Sequence, residues 1–223
     1  LVLLSGVTGS GKSTTMNSIV QKIAKTRSGR VITLEDPIEY IHQNSASIIS
    51  QREVGTHVAS FAKGLKSALR ENPDIILVGE MRDPETISLA MTAAETGHLV
   101  FSTVHARDTV GAITRIMDSF PADRQNSVST QMSFSLAYII AQKLIPRLDG
   151  NGRVLAMEIL KINKSVSNQI RQNNLSQIYS SMETRSEEGM NTMEAHLSTL
   201  YQQGVISLED AEFYANDAKS LDL

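Results

Sequence analysis

The sequence predicts an α/β fold: a mainly parallel sheet flanked by helices, then a β-hairpin and a C-terminal helical appendage. Three observations carry this expectation. Four short apolar runs, LVLL, RVITLE, DIILVGE and HLVFSTV, alternate with stretches of helical period, as strands and crossover helices do in an open parallel sheet. Each run is nearly continuous in Val, Ile, Leu and Phe, which suits strands covered on both faces. Between the first run and the first helical stretch lies a glycine-rich turn, GVTGSGK, a strand-to-helix junction of the kind that cradles phosphate groups.

The elements follow in order. LVLL passes through that turn into the helix-like STTMNSIVQKIAK. In SFAKGLKSALREN, Phe61, Leu65, Ala68 and Leu69 share one stripe, and the stretch stops before Pro73, as a helix must. Asp83-Pro84 supplies an N-cap and a first-turn proline for ETISLAMTAAETGH, with Ile87, Ala90, Met91 and Ala94 on one face and Gly97 as the stop. After residue 120 a long helical stretch carries Val128, Met132, Leu136 and Ile139 or Ile140 at helical spacing. KLIPR and RVLAMEIL, split by Asp149-Gly150-Asn151-Gly152, read as a hairpin. Polar helices close the chain, with capping boxes expected from Asn191 to Glu194 and from Ser207 to Asp210. The expected division is a core over 1–162 and a helical subdomain over 163–223.

Composition bounds the function. With 41% hydrophobic and 20% charged residues, the chain is a folded globular protein rather than a disordered one. A net charge of -3 and 4% aromatics without Trp provide neither a basic footprint nor a stacking surface, which argues against a nucleic-acid partner. The absence of cysteine removes disulfides and thiolate zinc sites and fits a cytosolic protein. No apolar run approaches the roughly 20 residues of a membrane helix.

Gly6-Val7-Thr8-Gly9-Ser10-Gly11-Lys12-Ser13 fits G-x-x-x-x-G-K-[ST] between a strand and a helix. The expected contacts to a nucleoside triphosphate are Thr8, Gly9, Ser10, Gly11, Lys12, Ser13 and Thr14, with backbone N–H groups around the phosphates, Lys12 on the β and γ phosphates and Ser13 on Mg²⁺. Hydrolysis also needs a carboxylate at the end of a neighbouring strand. Glu80, after Ile75 to Val78, is that candidate, and its contact with the metal is expected to run through water; Asp74 sits at the other end of the run and caps or begins the strand. Glu35, Asp36 and Glu39 follow another strand, and in a parallel sheet they would face the same crevice. Glu35 and Glu39 are expected to reach the nucleotide or its water, while Asp36 forms the turn before Pro37. At the end of the fourth strand, His105 is placed to hydrogen-bond the γ-phosphate or a carboxylate, with Arg107 as a nearby ion-pair candidate.

The four stretches GVTGSGKST, EDPIEY, ILVGEMRDPET and GHLVFSTVHA, in this order, resemble the Walker A, Asp, Walker B and His boxes of secretion-superfamily ATPases. Within that superfamily the chain is similar to the type IV pilus retraction ATPases, the PilT family, and the likeness extends through SQIYSSMETRSEEGMNTMEAHLSTLYQQGVISLEDA. The resemblance implies a RecA-like P-loop core in a homo-hexameric motor at the cytoplasmic, inner face of the bacterial inner membrane. That motor uses ATP and Mg²⁺ to pull pilin subunits from a filament through a membrane platform protein. It also assigns Glu39 and Glu80 to water activation and metal organisation, and γ-phosphate sensing to His105. The family carries a PAS-like domain ahead of this core that supplies arginines in trans, so the abrupt start reads as a cut, and the fragment is expected to bind ATP but hydrolyse it poorly. The family's Ala-Ile-Arg-Asn-Leu-Ile-Arg-Glu motif meets SVSNQIRQ here, with Asn168, Ile170 and Arg171 matching and Ser167 and Gln172 departing, which bears on retraction itself. Extension and general secretion ATPases share the boxes but commonly add a tetracysteine element that this chain lacks. The readings from other classes are a nucleic-acid translocase and a non-hydrolysing P-loop switch. Arg82, Arg115 and Arg124 suit either subunit contacts or solvated helix charges.

Overall fold

The computed structural model describes residues 1–223, apart from the side chain of Ser186. The four expected strands form as β1 (Val2–Ser5), β2 (Gly29–Glu35), β4 (Ile75–Val78) and β5 (Leu99–Val104), joined by β3 (Ser47–Glu53), β6 (Tyr138–Pro146) and β7 (Arg153–Lys161) in one sheet of order β3-β2-β4-β5-β1-β6-β7. Every pairing is parallel except β6 with β7. The α/β expectation holds. Helices α1 (Lys12–Thr26), α2 (Phe61–Ala68), α3 (Pro84–Glu95), α4 (Thr109–Asp118) and α5 (Ala122–Ser135) accompany the parallel part, and α6 (Lys164–Arg171), α7 (Ser176–Glu183), α8 (Met193–Gln202) and α9 (Leu208–Tyr214) follow the hairpin.

The continuous apolar runs are explained by two cores, one on each sheet face. Along β4, Ile75 and Leu77 join the cluster with Met16 and Val20 of α1, while Ile76 and Val78 join the opposite cluster with Leu65, Ile87, Met91 and Ile113. That second core also takes Val166 and Ile170 of α6 and Ile178 and Met182 of α7. A third cluster packs Met193, Leu197 and Leu200 of α8 and Ala211 of α9 against Ile145 and Ala156 of the hairpin. Among the described residues, no helix is long and apolar enough to cross a membrane.

Caps match the sequence in two places: Asp83 accepts from Thr86 N at 2.9 Å, and Ser207 accepts from Asp210 N at 3.0 Å. A further cap, Ser60, opens α2 by accepting from Lys63 N. The cap of α8 falls one residue later than expected: Thr192 accepts from Ala195 N at 3.2 Å. Asn191 is instead held in a bridge to Ile159 of β7, and Glu194 turns inward. The long helix after residue 120 also ends earlier. Leu136 already has extended dihedrals, and Ile139 and Ile140 lie in β6, paired with Leu3 and Leu4 of β1. Two adjacent β-branched residues fit both periods, and the open edge of β1 decides for the strand. Strand β3 gave no signal because it is a polar edge strand, SIISQRE, with Ile48 67% exposed.

Leu3 is fully buried between the sheet and its larger core. Leu3→Ala should lower the unfolding free energy by about 2–5 kcal/mol, read as a drop in the urea midpoint with the slope unchanged.

Candidate active site

Parallel pairing brings the carboxyl ends of β1, β2, β4 and β5 to one edge of the sheet, where they open on a cleft of about 530 Å³. The loop after β1 forms one wall. Its first glycine is set by close packing: Gly6 has φ +149°, and a Cβ there would lie 2.4 Å from Ser10 Oγ and 2.7 Å from the Gln142 carbonyl oxygen. Gly11, at φ +90°, is the left-handed residue from which α1 starts. Lys12 is buried, and its ammonium donates to the carbonyls of Gly6 at 2.9 Å and Val7 at 3.0 Å. Burial lowers its pKa, and the charge of Glu80 opposes that shift.

Thr8, Gly9, Gly11, Lys12, Ser13 and Thr14 line the cleft. Ser10 does not: its N–H donates to the Val7 carbonyl, and its hydroxyl is buried behind the loop without a partner. Gln142 of β6 supports the loop from the same side, donating from Nε2 to Thr15 Oγ1 at 2.8 Å.

Glu80 leaves the end of β4 and enters the cleft 15% exposed, paired with Arg82 Nη2 at 2.5 Å and with His105 Nε2 at 3.5 Å. Arg82 is thus a direct partner of the carboxylate, and its position two residues along the same loop was the available signal. The first cause acting on His105 is burial, which lowers its pKa; Lys12 lowers it further, Glu80 raises it, and Arg115 and Arg82 lower it. The imidazole is therefore neutral at pH 7. Thr103 locks the strand end beside it by donating to the Gly79 carbonyl at 2.6 Å.

Glu35 and Glu39 also line the cleft. Glu35 Oε1 accepts from Thr33 Oγ1 at 2.6 Å and Gln51 Nε2 at 3.0 Å, so the unforeseen strand β3 orients it. Asp36 and Pro37 line the same wall. Two residues of the hairpin that carried no signal, Leu144 and Arg153, also line the cleft. Other candidates lie elsewhere. Arg107 is exposed and has no ion pair among the described residues. Asp74 accepts from Arg30 N at 2.7 Å at the far end of the sheet. Arg124 stacks over Phe120 with 5.5 Å to the ring centroid.

No group of three His, Cys, Asp or Glu suited to a metal ion occurs among the described residues. The oxygen donors at hand, the Ser13 hydroxyl and the Glu80 carboxylate, suit a hard cation that takes its remaining ligands from phosphates and water, as Mg²⁺ does. The arrangement can therefore hold a polyphosphate beside a carboxylate and a neutral imidazole.

The chain matches, over residues 1–213, the family described as "Type II/IV secretion system protein". It is 49% identical over 221 residues to a "Twitching motility protein" of Neisseria gonorrhoeae, covering 99% of this chain and 59% of that protein. It is 46% identical over 211 residues to the "Type IV pilus retractation ATPase PilT" of Pseudomonas aeruginosa, covering 95% and 61%. A crystal structure of the pilus retraction motor PilT with bound ADP superposes with a TM-score of 0.92 at 49% identity, over 99% of this chain and 62% of that one. The chain thus spans about 60% of the length of these curated relatives. A match across nearly all of its length, together with the loop, carboxylates and histidine in one cleft, places the chain in the type II/IV secretion system protein family.

Proposed function

We propose that this chain is the catalytic part of an ATP-driven ring motor that retracts type IV pili. The observation that carries the reading is the meeting of Lys12, Glu80 and His105 at the ends of three adjacent parallel strands in one cleft. The similarity to a pilus retraction motor and to a twitching motility protein supports its pilus context.

In this reading, Thr8, Gly9, Ser10, Gly11, Lys12, Ser13 and Thr14 surround the phosphates, Ser10 through the shape of the loop rather than its hydroxyl. Lys12 moves from the loop carbonyls to phosphate oxygens, exchanging neutral acceptors for charged ones. Ser13, with Glu80 through water, would hold Mg²⁺, which when bound offsets the charge on the β and γ phosphates. Glu80, Glu35 and Glu39 form the acidic wall that orients the attacking water, and Glu80 is the base candidate because it pairs with His105 and its charge acts on Lys12. Neutral His105 can donate to either Glu80 or the γ-phosphate and so reports which is present. Partner copies in a hexamer, a membrane platform protein and a location at the inner face of the inner membrane belong to the same proposal. So does a division of labour in which residues 1–162 carry the chemistry and 163–223 relay it.

Three measurements test this. Deleting the gene should leave cells with excess surface pili that do not retract; loss of pili would point to extension instead. In the full-length protein, Glu80→Gln should lower ATP turnover by about 10²-fold or more while ADP affinity is kept, and unchanged turnover would favour an ATP-binding switch. Turnover should stay level down to about pH 6.5, the ordinary value below which His105 is held, and fall as imidazolium forms beside Glu80. His105→Asn should flatten that acid limb.

A further inference from the structure

Away from the cleft, a cluster of buried charged side chains takes no part in the chemistry above. Glu158 of β7 and Glu194 of α8 are each only 1% exposed. Glu158 Oε1 accepts from Thr109 N at 2.8 Å and Thr109 Oγ1 at 2.6 Å, and its Oε2 accepts from Asn216 Nδ2 at 3.0 Å. Glu194 Oε1 accepts from Asn216 N at 2.6 Å and Asp217 N at 2.9 Å, and its Oε2 from the Tyr179 hydroxyl. Lys143 Nζ donates to Asn216 Oδ1 and to the Tyr214 carbonyl, both at 2.6 Å. Asn216 uses its amide N–H, side-chain NH₂ and side-chain carbonyl in three different directions.

Burial raises the pKa of Glu158 and lowers that of Lys143, so the cluster is held at a desolvation cost. Apolar side chains would join the same elements without that cost, so stability alone does not account for it. Its geometry points toward the cleft. Thr109 is the first residue of α4, four positions after His105. On the other side of that loop, Ser5 Oγ donates to the Ala106 carbonyl at 2.9 Å, from the residue just before the phosphate loop. The short stretch bearing His105 is therefore clamped at one end by β1 and at the other by Glu158.

We infer that Glu158 is a positioning residue for His105, and that Asn216 makes docking of the C-terminal segment at 214–217 a condition for ATP turnover. This rests on the proposed ATPase reading. The segment holds Glu158 in place, Glu158 holds the start of α4, and the start of α4 sets the reach of His105 toward Glu80. When Asn216 lets go, nucleotide still binds to the loop after β1, but the imidazole no longer meets the carboxylate.

The test is a swap of donor and acceptor. Glu158→Gln keeps an acceptor for Thr109 and turns an NH₂ group on the Asn216 NH₂; Asn216→Asp turns a carboxylate on the Glu158 carboxylate. In the full-length protein, each single change should lower kcat about tenfold through displacement of His105, leave ADP affinity within about twofold, and speed amide hydrogen exchange at residues 105–110. The double variant remakes one N–H···O contact with the same net charge, and should recover both kcat and exchange protection. Val20→Ala, in the core on the other face of the sheet and remote from the cluster, should lower Tm while leaving exchange at 105–110 unchanged. Equal exchange at 105–110 in the single variants and the unaltered chain would overturn the inference. So would a Val20→Ala effect there as large as theirs, which would mean general loosening. Should Glu158→Gln not fold, Asn216→Asp carries the same comparison. An unaltered chain that binds no ATP would sink the ATPase reading, and the exchange comparison would still decide the clamp.

Discussion

The parallel pairing of β1 with β5 on one side and β6 on the other is the constraint on which the rest depends. A parallel neighbour points its carboxyl end the same way, so each loop leaving these strands emerges on one edge. Leu4 of β1 is level with Thr103 of β5 and Ile140 of β6, and this register puts the phosphate loop between His105 and Gln142. The glycine at position 6 then follows from geometry, since the Gln142 carbonyl lies where any larger residue would place its side chain.

Electrostatics in the cleft are set by a balance around Glu80. Arg82 and His105 both approach the carboxylate, and the buried Lys12 feels its charge. Burial first, and then the charges of Lys12, Arg115 and Arg82, oppose the protonation of His105 that Glu80 favours. A carboxylate shared between a permanent cation and a neutral imidazole can change partners at little cost, because neither contact is sealed from water. Rigid strand ends and adjustable side-chain tips together make a site that can respond to the charge of what it holds.

Much of this was legible in the chain where the signal is local. The phosphate loop, the Asp83-Pro84 and Ser207 caps and the hairpin turn rest on residue types a few positions apart, and each falls where turn and cap chemistry puts it. Signals that depend on a distant partner were weaker. Strand β3 is invisible as a polar run because only its pairing with β2 makes it a strand. Ile139 and Ile140 satisfy helical spacing until the edge of β1 claims them. Gln142 and Arg153 acquire their places only when β6 and β7 reach the cleft. Glu158 did carry a hint, a lone acid inside the apolar run RVLAMEIL, but its partner Asn216 lies 58 positions away.

Asn191 closes the outer side of β7. Its N–H donates to the Ile159 carbonyl, its own carbonyl accepts from Ile159 N–H, and its side chain donates to the Met157 carbonyl. A single residue thereby occupies backbone groups that would otherwise lie open along the rim of the sheet. Such groups are templates for adding a strand from another molecule, so Asn191 removes that template at Met157 and Ile159 of the β7 rim.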